Sequence, residues 1–558
     1  FSVPLEGRAA ELAQLSQAFD QTLAGRGQVI RLSGTAGVGK SHLAAELLKR
    51  ARDLGAQAAS GACQSTTERT AYAPWREVFN EMLRLNESAA GEPGAAGVIA
   101  RLQAFVAGAN PDWLVRFPLL GDLLQLPIQD NATTAAFEPQ LRQGALFDLA
   151  VEILRHQARL RPLVLWLDDA QWMDEASQGL TLAAARALAD APVLLLLSHR
   201  TAQGGAAVLP ALAALPHLHV LEIAELDRDA IAALLARKLG GPPAPLALSL
   251  IMAETQGNPY FVEELVDSLL EAGHLFQRPA GDWALAETLF LALQQANALV
   301  RSADGHWQLA PNVSLSAVDL GLPDSIQGVV LSRIDRLPSP HQVTLKVASV
   351  VGRSFALDLL ARSHPASPEP AALADEVNLL TARDFTIAEA ALRERFAFKH
   401  TVTRDVAYET LLEDQRRQLH SAVGRALEQL APEAVSQLAY HLQAGAEWAR
   451  ALHYHLAAGQ QAQRLFANYE GIEHFRQALA CAGQLPAEDT ALQRQLIHSS
   501  LGELLATTGQ YDAALDHLRR ALELAHELDS ADAQARACRW IAYVHEFRGE
   551  YAEALRWI

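Results

Sequence analysis

The feature that most constrains the fold is the octapeptide GTAGVGKS (residues 34–41), which directly follows the apolar run QVIRLS. It fits the pattern G-x-x-x-x-G-K-[ST], in which a glycine-rich loop joins a strand to a helix. The glycines allow the backbone to wrap closely around a polyphosphate, and the helix predicted over residues 40–52 directs its positive N-terminal end to the same place. The motif therefore predicts a nucleoside triphosphate site in an α/β domain. A glycine-rich turn without a ligand is disfavoured, because strand, loop and helix occur in the required order.

Two positions of this motif have distinct chemical tasks. Lys40 is predicted to neutralise the outer phosphates during catalysis, and Ser41 is predicted to hold Mg²⁺ through its hydroxyl. The candidate nucleotide-binding residues of this segment are Gly34, Thr35, Ala36, Gly37, Val38, Gly39, Lys40, Ser41 and His42.

Short apolar runs alternate with helical patterns through the first part of the chain. This alternation predicts a mostly parallel sheet with helices between its strands. Nucleotide sites on such sheets lie at the carboxyl ends of the strands, so these ends are expected to meet at one site. The predicted strands are QVIRLS, QAASGAC (57–63), LVLWLDD (163–169), VLLLLSHR (193–200) and HVLEI (219–223).

The run LVLWLDD places two carboxylates at the end of a buried strand. A purely structural chain would seldom desolvate both of them. Asp168 is the predicted ligand of Mg²⁺, and Asp169 is the predicted catalytic residue that polarises the attacking water. Arg200 ends the next strand and either senses the γ-phosphate or is a surface arginine.

The rest of the chain is dominated by helical patterns. We expect a P-loop NTPase α/β domain over residues 1–226, a helical lid domain over 227–320, a winged-helix domain over 321–431 and tetratricopeptide-like repeats over 432–558. Within the second of these, the segments around Trp283 and Trp307 are either hairpin pieces or an insertion. In the third, RFAFKH (395–400) predicts a short late strand.

The repeat assignment depends on aromatic residues spaced by about 40 positions. Tyr469, Tyr511 and Tyr551 recur at this interval, and the last two follow a glycine and a polar residue in GQYDAAL and GEYAEAL. We expect the alanines to allow close helix packing and the tyrosines to fill the gap between neighbouring hairpins. An ordinary helical bundle is the alternative.

Composition narrows the classes of partner. The 558 residues carry a net charge of −18, which disfavours nucleic acid as the main partner of this chain. Three distant cysteines predict neither a disulfide framework nor a metal cluster, and the apolar runs are too short for a membrane helix. We therefore expect a cytoplasmic protein without a membrane contact. The start at Phe1 and the end at Ile558, inside an amphipathic pattern, suggest a piece of a longer chain.

A set of motifs in one order makes the sequence similar to a known class. It resembles the STAND signalling ATPases, and most closely the AAA/NACHT-like branch attached to class III adenylyl/guanylate cyclases and found in large LuxR-type regulators with tetratricopeptide repeats. The resemblance spans almost the whole chain. The motifs are GRAAEL (7–12), GTAGVGKS, YAPWREVF (72–79), LWLDDAQWMD (165–174), GNPYFVEEL (257–265), LPDSIQGVVLSRIDRL (322–337) and FAFKHTVTRDVAYETLL (396–412).

This resemblance implies three further nucleotide-binding residues. Arg8 of the opening G-R motif would help to bind the nucleotide, and Pro259 would pack near the adenine. His400 would reach the diphosphate as a neutral or protonated imidazole. For Pro259 and His400, a turn proline and a backbone-bonded histidine remain the alternatives. Glu6 stands where the family usually has an apolar residue.

The resemblance also implies a function. We expect a bacterial signal-transduction switch that binds ATP or ADP with Mg²⁺ and rests with ADP. With ATP it would be active and able to form a homo-oligomer, and it would hydrolyse ATP slowly. The repeats would receive an unknown protein or small-molecule ligand. An effector domain outside these residues would regulate transcription or cyclic-nucleotide synthesis. A motor ATPase or a repeat scaffold with a structural nucleotide is the alternative, but the acidic charge disfavours the motor and the intact motif disfavours the scaffold.

Overall fold

The computed structural model describes residues 5–64, 70–85, 95–201, 209–302, 307–310, 325–389 and 394–558. In this part of the chain, an N-terminal α/β region is followed by a long region of helices with small antiparallel sheets. None of its helices combines the length and apolar character needed to span a membrane.

The α/β region contains a parallel sheet with five strands in the described residues, in the order β2-β3-β4-β1-β5. Each of the five predicted runs forms one of these strands, so the predicted parallel α/β sheet is confirmed. The strands are β1 (Gln28–Gly34), β2 (Gln57–Ala62), β3 (Leu163–Asp168), β4 (Val193–Arg200) and β5 (Leu218–Ile223). The helices are α1 (Ala9–Leu23), α2 (Lys40–Asp53), α3 (Ala73–Met82), α4 (Ala95–Ala109), α5 (Leu119–Leu124), α6 (Pro139–Leu160) and α7 (Glu175–Ala187).

The central strands are apolar on both sides because helices cover both faces of the sheet. Successive residues of a strand point to opposite faces. Leu165 of β3 and Leu195 of β4 join an apolar cluster with residues of α3, α6 and α7. Val164 and Leu194 instead join a cluster with α1 and α2. The two layers hold the strand ends in fixed positions, and these ends carry the candidate site.

A small helical unit follows the sheet. The uncertain segments around Trp283 and Trp307 are strands of two antiparallel hairpins. Their apolar residues share a cluster with the preceding helices, so they are an integral part of this unit. Its elements are α8 (Arg228–Leu239), α9 (Pro245–Thr255), α10 (Pro259–Glu271), β6 (Leu275–Gln277), β7 (Trp283–Leu285), α11 (Glu287–Gln295), β8 (Leu299–Arg301) and β9 (Trp307–Leu309). The start of the motif at Leu322 lies outside the described residues.

Residues 325–389 and 394–409 form a unit that we call the helix–sheet unit. Its elements are α12 (Ile326–Asp335), α13 (Ser339–Val351), β10 (Ser354–Ala356), α14 (Leu357–Ser363), α15 (Pro370–Ala382), β11 (Thr386–Ala388), β12 (Arg395–Phe398) and α16 (Thr401–Glu409). The strands form an antiparallel sheet in the order β10-β12-β11. The predicted late strand is β12, but it ends at Phe398, because His400 already precedes α16 as its N-cap residue. The winged-helix assignment of this unit remains a prediction.

The remaining residues form a succession of antiparallel helix pairs, the helical array. Its helices are α17 (Glu413–Leu430), α18 (Val435–Ala444), α19 (Trp448–Arg464), α20 (Asn468–Gly483), α21 (Ala491–Thr507), α22 (Tyr511–Glu527), α23 (Ala531–Phe547) and α24 (Tyr551–Trp557).

Close packing inside the pairs depends on glycine. A Cβ atom added to Gly459 of α19 would lie 2.9 Å from the ring of Phe475 in α20. One added to Gly502 of α21 would lie 2.5 Å from Leu518 in α22. These two contacts occupy equivalent places in successive pairs, as a repeat requires.

The predicted role of the tyrosines is wrong for Tyr469. Its side chain is 58% exposed, so it does not fill a gap between pairs. Tyr511, in the first turn of α22, is partly buried and packs against the apolar cluster of the array, as predicted. For Tyr551, in the last helix of the array, the role remains a prediction. The spacing of these tyrosines therefore marks the repeat, while small residues and residues such as Phe475 make its core.

The glycine contact generates a stability prediction. Gly502→Val should destabilise the array by about 1–3 kcal/mol, because the added atoms overlap the side chain of Leu518. The midpoint of urea unfolding, followed by helical circular dichroism, measures this loss. Gly483→Ala is the control, since an added Cβ there meets no atom within 4 Å. Equal midpoints for the two variants would contradict the close packing at Gly502.

Candidate functional site

The glycine-rich loop lies at the carboxyl end of β1 and leads into α2. Gly37 has φ +81° and Gly39 has φ +102°, a region that other residues adopt only with strain. A Cβ atom on Gly37 would also lie 2.9 Å from Asn258 and from Tyr260. The loop conformation and its contact with the start of α10 thus both require glycine at position 37.

Lys40 is folded back into the loop. Its Nζ donates hydrogen bonds to the carbonyl oxygens of Gly34 (2.9 Å) and Thr35 (2.8 Å). Burial lowers the pKa of Lys40 to about 8, although Asp169 and Asp168 act in the opposite direction. The ammonium group is therefore held beside the loop, and the charges of Asp169 and Asp168 compensate its desolvation only in part.

Ser41 and Asp168 lie together under the loop. The Oγ atom of Ser41 is 3.3 Å from both carboxylate oxygens of Asp168, and Ser198 Oγ donates to Oδ1 of Asp168 at 2.6 Å. A hydroxyl and a carboxylate are hard oxygen ligands that fit Mg²⁺. Among the described residues, no group of three or more His, Cys, Asp or Glu side chains is placed to hold a metal ion by itself. A magnesium ion at this pair would therefore need further oxygens, such as those of a phosphate.

Asp169 and Arg200 are linked through Gln171. Asp169 has φ +54°, and its Oδ1 accepts a hydrogen bond from Gln171 Nε2 at 2.9 Å. The backbone N–H of Arg200 donates to Gln171 Oε1 at 3.1 Å. Burial, followed by the charge of Asp168, raises the pKa of Asp169. The guanidinium of Arg200 donates to Thr401 Oγ1 at 3.3 Å and so reaches the helix–sheet unit.

The start of α10 is bonded directly to the glycine-rich loop. Asn258 Nδ2 donates to the carbonyl of Ala36 at 2.8 Å, and Tyr260 N–H donates to the carbonyl of Gly37 at 3.3 Å. Pro259 lies between them as the first residue of the helix. The GNPY segment therefore closes one side of the loop.

His400 packs against Tyr260 on this side of the site. Their ring centroids are 4.0 Å apart, and the hydroxyl of Tyr260 shares a hydrogen bond with Thr403 Oγ1 at 2.9 Å. Burial, with a smaller effect of Lys399, lowers the pKa of His400 to about 3. Of the two forms allowed by the sequence, this arrangement therefore contains the neutral imidazole, which can donate or accept a hydrogen bond without a charge.

Arg8 supports the loop from below. Its guanidinium donates to the carbonyls of Val38 (3.0 Å) and Ala224 (2.7 Å). Glu6 forms an ion pair with Arg237 at 2.5 Å and lines the pocket described below. The carboxylate that stands where the resembled family usually has an apolar residue is thus paired with a cation.

Arg353 is a site residue that the sequence did not indicate. Its Nη1 and Nη2 atoms each donate to Oδ2 of Asp168 at 3.2 Å, and Nη1 lies 3.7 Å from Oδ2 of Asp169. Arg353 follows α13 in the helix–sheet unit, 185 positions beyond Asp168. No motif of the sequence contains it, so only the folded chain reveals the contact.

One pocket collects most of the predicted site residues. It is lined by Arg8, Ala36, Gly37, Val38, Gly39, Lys40, Ser41, His42, Asp169, Arg200, Pro259 and His400, together with Arg353, Lys399 and Thr401 and a few apolar residues. Gly34, Thr35 and Asp168 do not line it. Asp168 lies beneath Ser41. Gly34 and Thr35 contribute the carbonyl oxygens that accept hydrogen bonds from Lys40. The pocket thus combines backbone N–H groups, several cations and an apolar end.

Comparison with known proteins agrees with this geometry. Residues 4–197 match the family described as the AAA ATPase domain, so this part of the chain is an AAA-type P-loop ATPase domain, as the sequence predicts. This match supports ATPase-type activity in general. Domains of this family typically use a nucleotide with Mg²⁺.

Three individual proteins are similar to larger parts of the chain. An uncharacterized protein of Rhizobium meliloti (strain 1021) is 26% identical over 550 residues, which are 96% of this chain and 48% of that protein. The chain therefore spans about half the length of this relative. A STAND protein with a tetratricopeptide repeat sensor from Pyrococcus horikoshii is structurally similar with a TM-score of 0.44 and 12% identity, over 100% of this chain and 70% of the other. The ORC1 protein of Aeropyrum pernix, solved in complex with DNA, has a TM-score of 0.31 and 13% identity, over 73% and 93% of the two chains.

Proposed function

We propose that the protein is a signal-transduction switch that binds ATP or ADP and hydrolyses ATP slowly. The observation that carries this proposal is the closure of one pocket by distant segments. The glycine-rich loop, the start of α10 and the segment around residues 399–402 all line it. A nucleotide bound there would contact the ATPase domain and the helix–sheet unit together, so its phosphates could control how these parts are held.

The predicted residues have compatible roles in this proposal. Lys40 would exchange its two carbonyl partners for phosphate oxygens, and the loop N–H groups would bind the same phosphates. Ser41 and Asp168 would supply hard oxygen ligands to a magnesium ion. Arg8 would fix the loop, Pro259 would border the base, and the neutral imidazole of His400 would donate one hydrogen bond to a phosphate.

The predicted catalytic residues suit hydrolysis in this proposal. The raised pKa of Asp169 makes its carboxylate a stronger base than an exposed aspartate, which suits a residue that orients and polarises water. Arg200 is placed at the end of β4 and faces the pocket, where it can detect a third phosphate. When bound, the magnesium ion would neutralise charge that develops on the phosphates.

The helical array contacts the ATPase domain next to the proposed catalytic residues. Glu175 N–H, at the start of α7, donates to the Glu470 carboxylate of α20, and Tyr469 N–H donates to the Glu175 carboxylate at 3.2 Å. Each helix thus receives an acidic cap from the other. Leu465 and Ala467 of the array also belong to the apolar cluster that contains β3. We propose that a ligand bound to the array alters the nucleotide site through this contact.

This contact contains a buried acidic pair. Oδ2 of Asp174 and Oε2 of Glu470 are both buried without a hydrogen-bond partner. Burial, with the mutual repulsion of Asp174, Glu175 and Glu470, raises the pKa of Glu470 to about 8, and burial raises that of Asp174 to about 6. Since the folded pKa values exceed the ordinary ones, the contact is most stable at acidic pH. This stability is fully present below the ordinary pKa values of 3.8 and 4.5 and is lost as the pH rises from there through the folded values of about 6 and 8.

The output and partners complete the proposal. In an ADP-bound resting state the units stay closed, and ATP favours an open form that is able to associate into a homo-oligomer. A cytoplasmic effector domain outside residues 1–558 would then regulate transcription or cyclic-nucleotide synthesis in a bacterium. The activating ligand would be a protein or a small molecule on the array.

The first functional prediction concerns Lys40. Lys40→Ala should weaken the binding of magnesium ATP about ten- to a hundredfold, because one charge-assisted contact with phosphate is lost. Isothermal titration calorimetry measures the affinity. Lys49→Ala on the exposed side of α2 is the matched control and should bind as the unmodified protein does. An unchanged affinity for Lys40→Ala would refute the phosphate role of the loop.

A second prediction separates the two carboxylates. Asp169→Asn should retain ATP but slow its hydrolysis about a hundredfold or more, because an amide cannot accept the proton of water. Asp168→Asn should instead weaken the magnesium dependence of binding. Single-turnover hydrolysis and calorimetry provide the two measurements. If Asp169→Asn loses ATP while Asp168→Asn keeps it, the assigned roles are reversed.

A third prediction tests the contact between array and ATPase domain. Glu470→Gln should stabilise it by about 1–3 kcal/mol at pH 8, because the amide keeps an acceptor for Glu175 and removes the charge facing Asp174. The thermal midpoint of the unmodified protein should fall more steeply between about pH 5 and 8 than that of the variant, because this range lies between the ordinary and the folded pKa of Glu470. Release of a fluorescent ADP analogue should show the same difference. Glu523→Gln, on the exposed surface of α22, is the control. Parallel pH profiles for Glu470→Gln and the unmodified protein would disprove the role of the acidic pair.

A further inference from the structure

Arg353 occupies the carboxylate to which the proposed magnesium ion would bind. Both terminal nitrogens of its guanidinium contact Oδ2 of Asp168. The other oxygen of this carboxylate already accepts a hydrogen bond from Ser198. Both oxygens therefore have partners, and the oxygen that is not bonded to Ser198 is the one held by the arginine.

A magnesium ion and Arg353 are electrostatically incompatible at this oxygen. Mg²⁺ binds carboxylate oxygens at about 2.0–2.1 Å and requires near-octahedral space around it. The guanidinium is permanently charged, because arginine is not deprotonated in proteins. Two cations that share one carboxylate oxygen repel each other strongly in a partly buried site. The guanidinium of Arg353 must therefore leave Asp168 before the metal can reach this oxygen.

The backbone of Arg353 connects this movement to the other side of the pocket. Its carbonyl accepts a hydrogen bond from Phe398 N–H at 2.8 Å, at the end of β12. The next residues, Lys399, His400 and Thr401, line the pocket, and Thr401 accepts from Arg200 of the ATPase domain. Two arginines thus join the units in opposite directions, and displacement of Arg353 would disturb the whole pocket-facing segment.

We propose that Arg353 competes with Mg²⁺ for Asp168, so that the closed arrangement selects a metal-free nucleoside diphosphate over a magnesium-bound triphosphate. This inference rests on the proposed function and adds to it a residue that determines which nucleotide is accepted. A diphosphate needs less charge compensation than a triphosphate and can be bound by the loop and Lys40 without the metal. Binding of the magnesium-bound triphosphate requires Arg353 to leave Asp168, and this requirement couples the nucleotide to opening of the helix–sheet unit.

The test measures how magnesium changes the affinity for ADP. The dissociation constant of ADP for the full 558-residue chain is determined by calorimetry with excess EDTA and again with excess Mg²⁺. In the unmodified protein, magnesium should leave the affinity unchanged or weaken it. In Arg353→Met, magnesium should strengthen ADP binding, and the ratio of the two constants should change by about tenfold or more, the effect of one charge-assisted contact.

Two further variants make the result specific. Arg353→Gln keeps hydrogen-bond donors but removes the charge, so magnesium should strengthen ADP binding in this variant too. It provides a second test if Arg353→Met folds poorly. Arg362→Met is the matched control, because Arg362 lies on the surface of the same unit, where it pairs with Asp358. Its ratio should equal that of the unmodified protein.

The other outcomes overturn the inference in distinguishable ways. If ADP binds to every variant with an unchanged magnesium ratio, Arg353 does not compete with the metal, while the proposed nucleotide function stands. If the Arg353 variants lose affinity for magnesium ATP without a gain for magnesium ADP, the residue is a phosphate ligand instead. If the unmodified protein binds no nucleotide with or without magnesium, the proposed function itself fails.

Discussion

The site is organised around the buried carboxylate of Asp168. Desolvation of a carboxylate is costly unless hydrogen bonds or cations compensate it. Here the compensation comes from separate parts of the chain: Ser41 at the start of α2, Ser198 in β4 and Arg353 in the helix–sheet unit. One side chain thus fixes the relative position of the loop, the sheet and a distant unit.

Neighbouring contacts reinforce this arrangement because the glycine-rich loop exposes carbonyl groups that need donors. Lys40 satisfies two of them from inside the loop, whereas Asn258 and Tyr260 satisfy two others from α10. A phosphate that attracted Lys40 would free its carbonyl partners. The loop and the start of α10 therefore respond to the same ligand, which gives the proposed switch a local physical basis.

The parts of this architecture that follow local rules could be predicted from the sequence. The five strands were evident because a sheet buried on both faces requires continuous apolar runs, and the loop was evident because glycine and lysine occur at fixed spacing. Arg353 and Glu470 could not be found in this way. Their importance depends on tertiary contacts with Asp168 and Glu175. Neither residue lies in a sequence pattern that sets it apart from the other charged residues of the chain. The outward side chain of Tyr469 shows the same limit, because spacing gives the repeat period but does not give the direction of a side chain.

Both long-range charged contacts reach the same short segment after β3. Arg353 contacts Asp168 and Asp169 at its beginning, and Glu470 caps α7 at Glu175, only a few residues later. The segment between them makes a short 3₁₀ turn (Ala170–Trp172), which Asp169 precedes in the left-handed conformation, so only a short stretch of chain separates the two contacts. In the proposed switch, a change in the array contact would alter the position of the carboxylates through this turn, and a change at Asp168 would act back on the array. Because such coupling is reciprocal, a ligand of the array that favours one nucleotide must itself bind more tightly when that nucleotide is present.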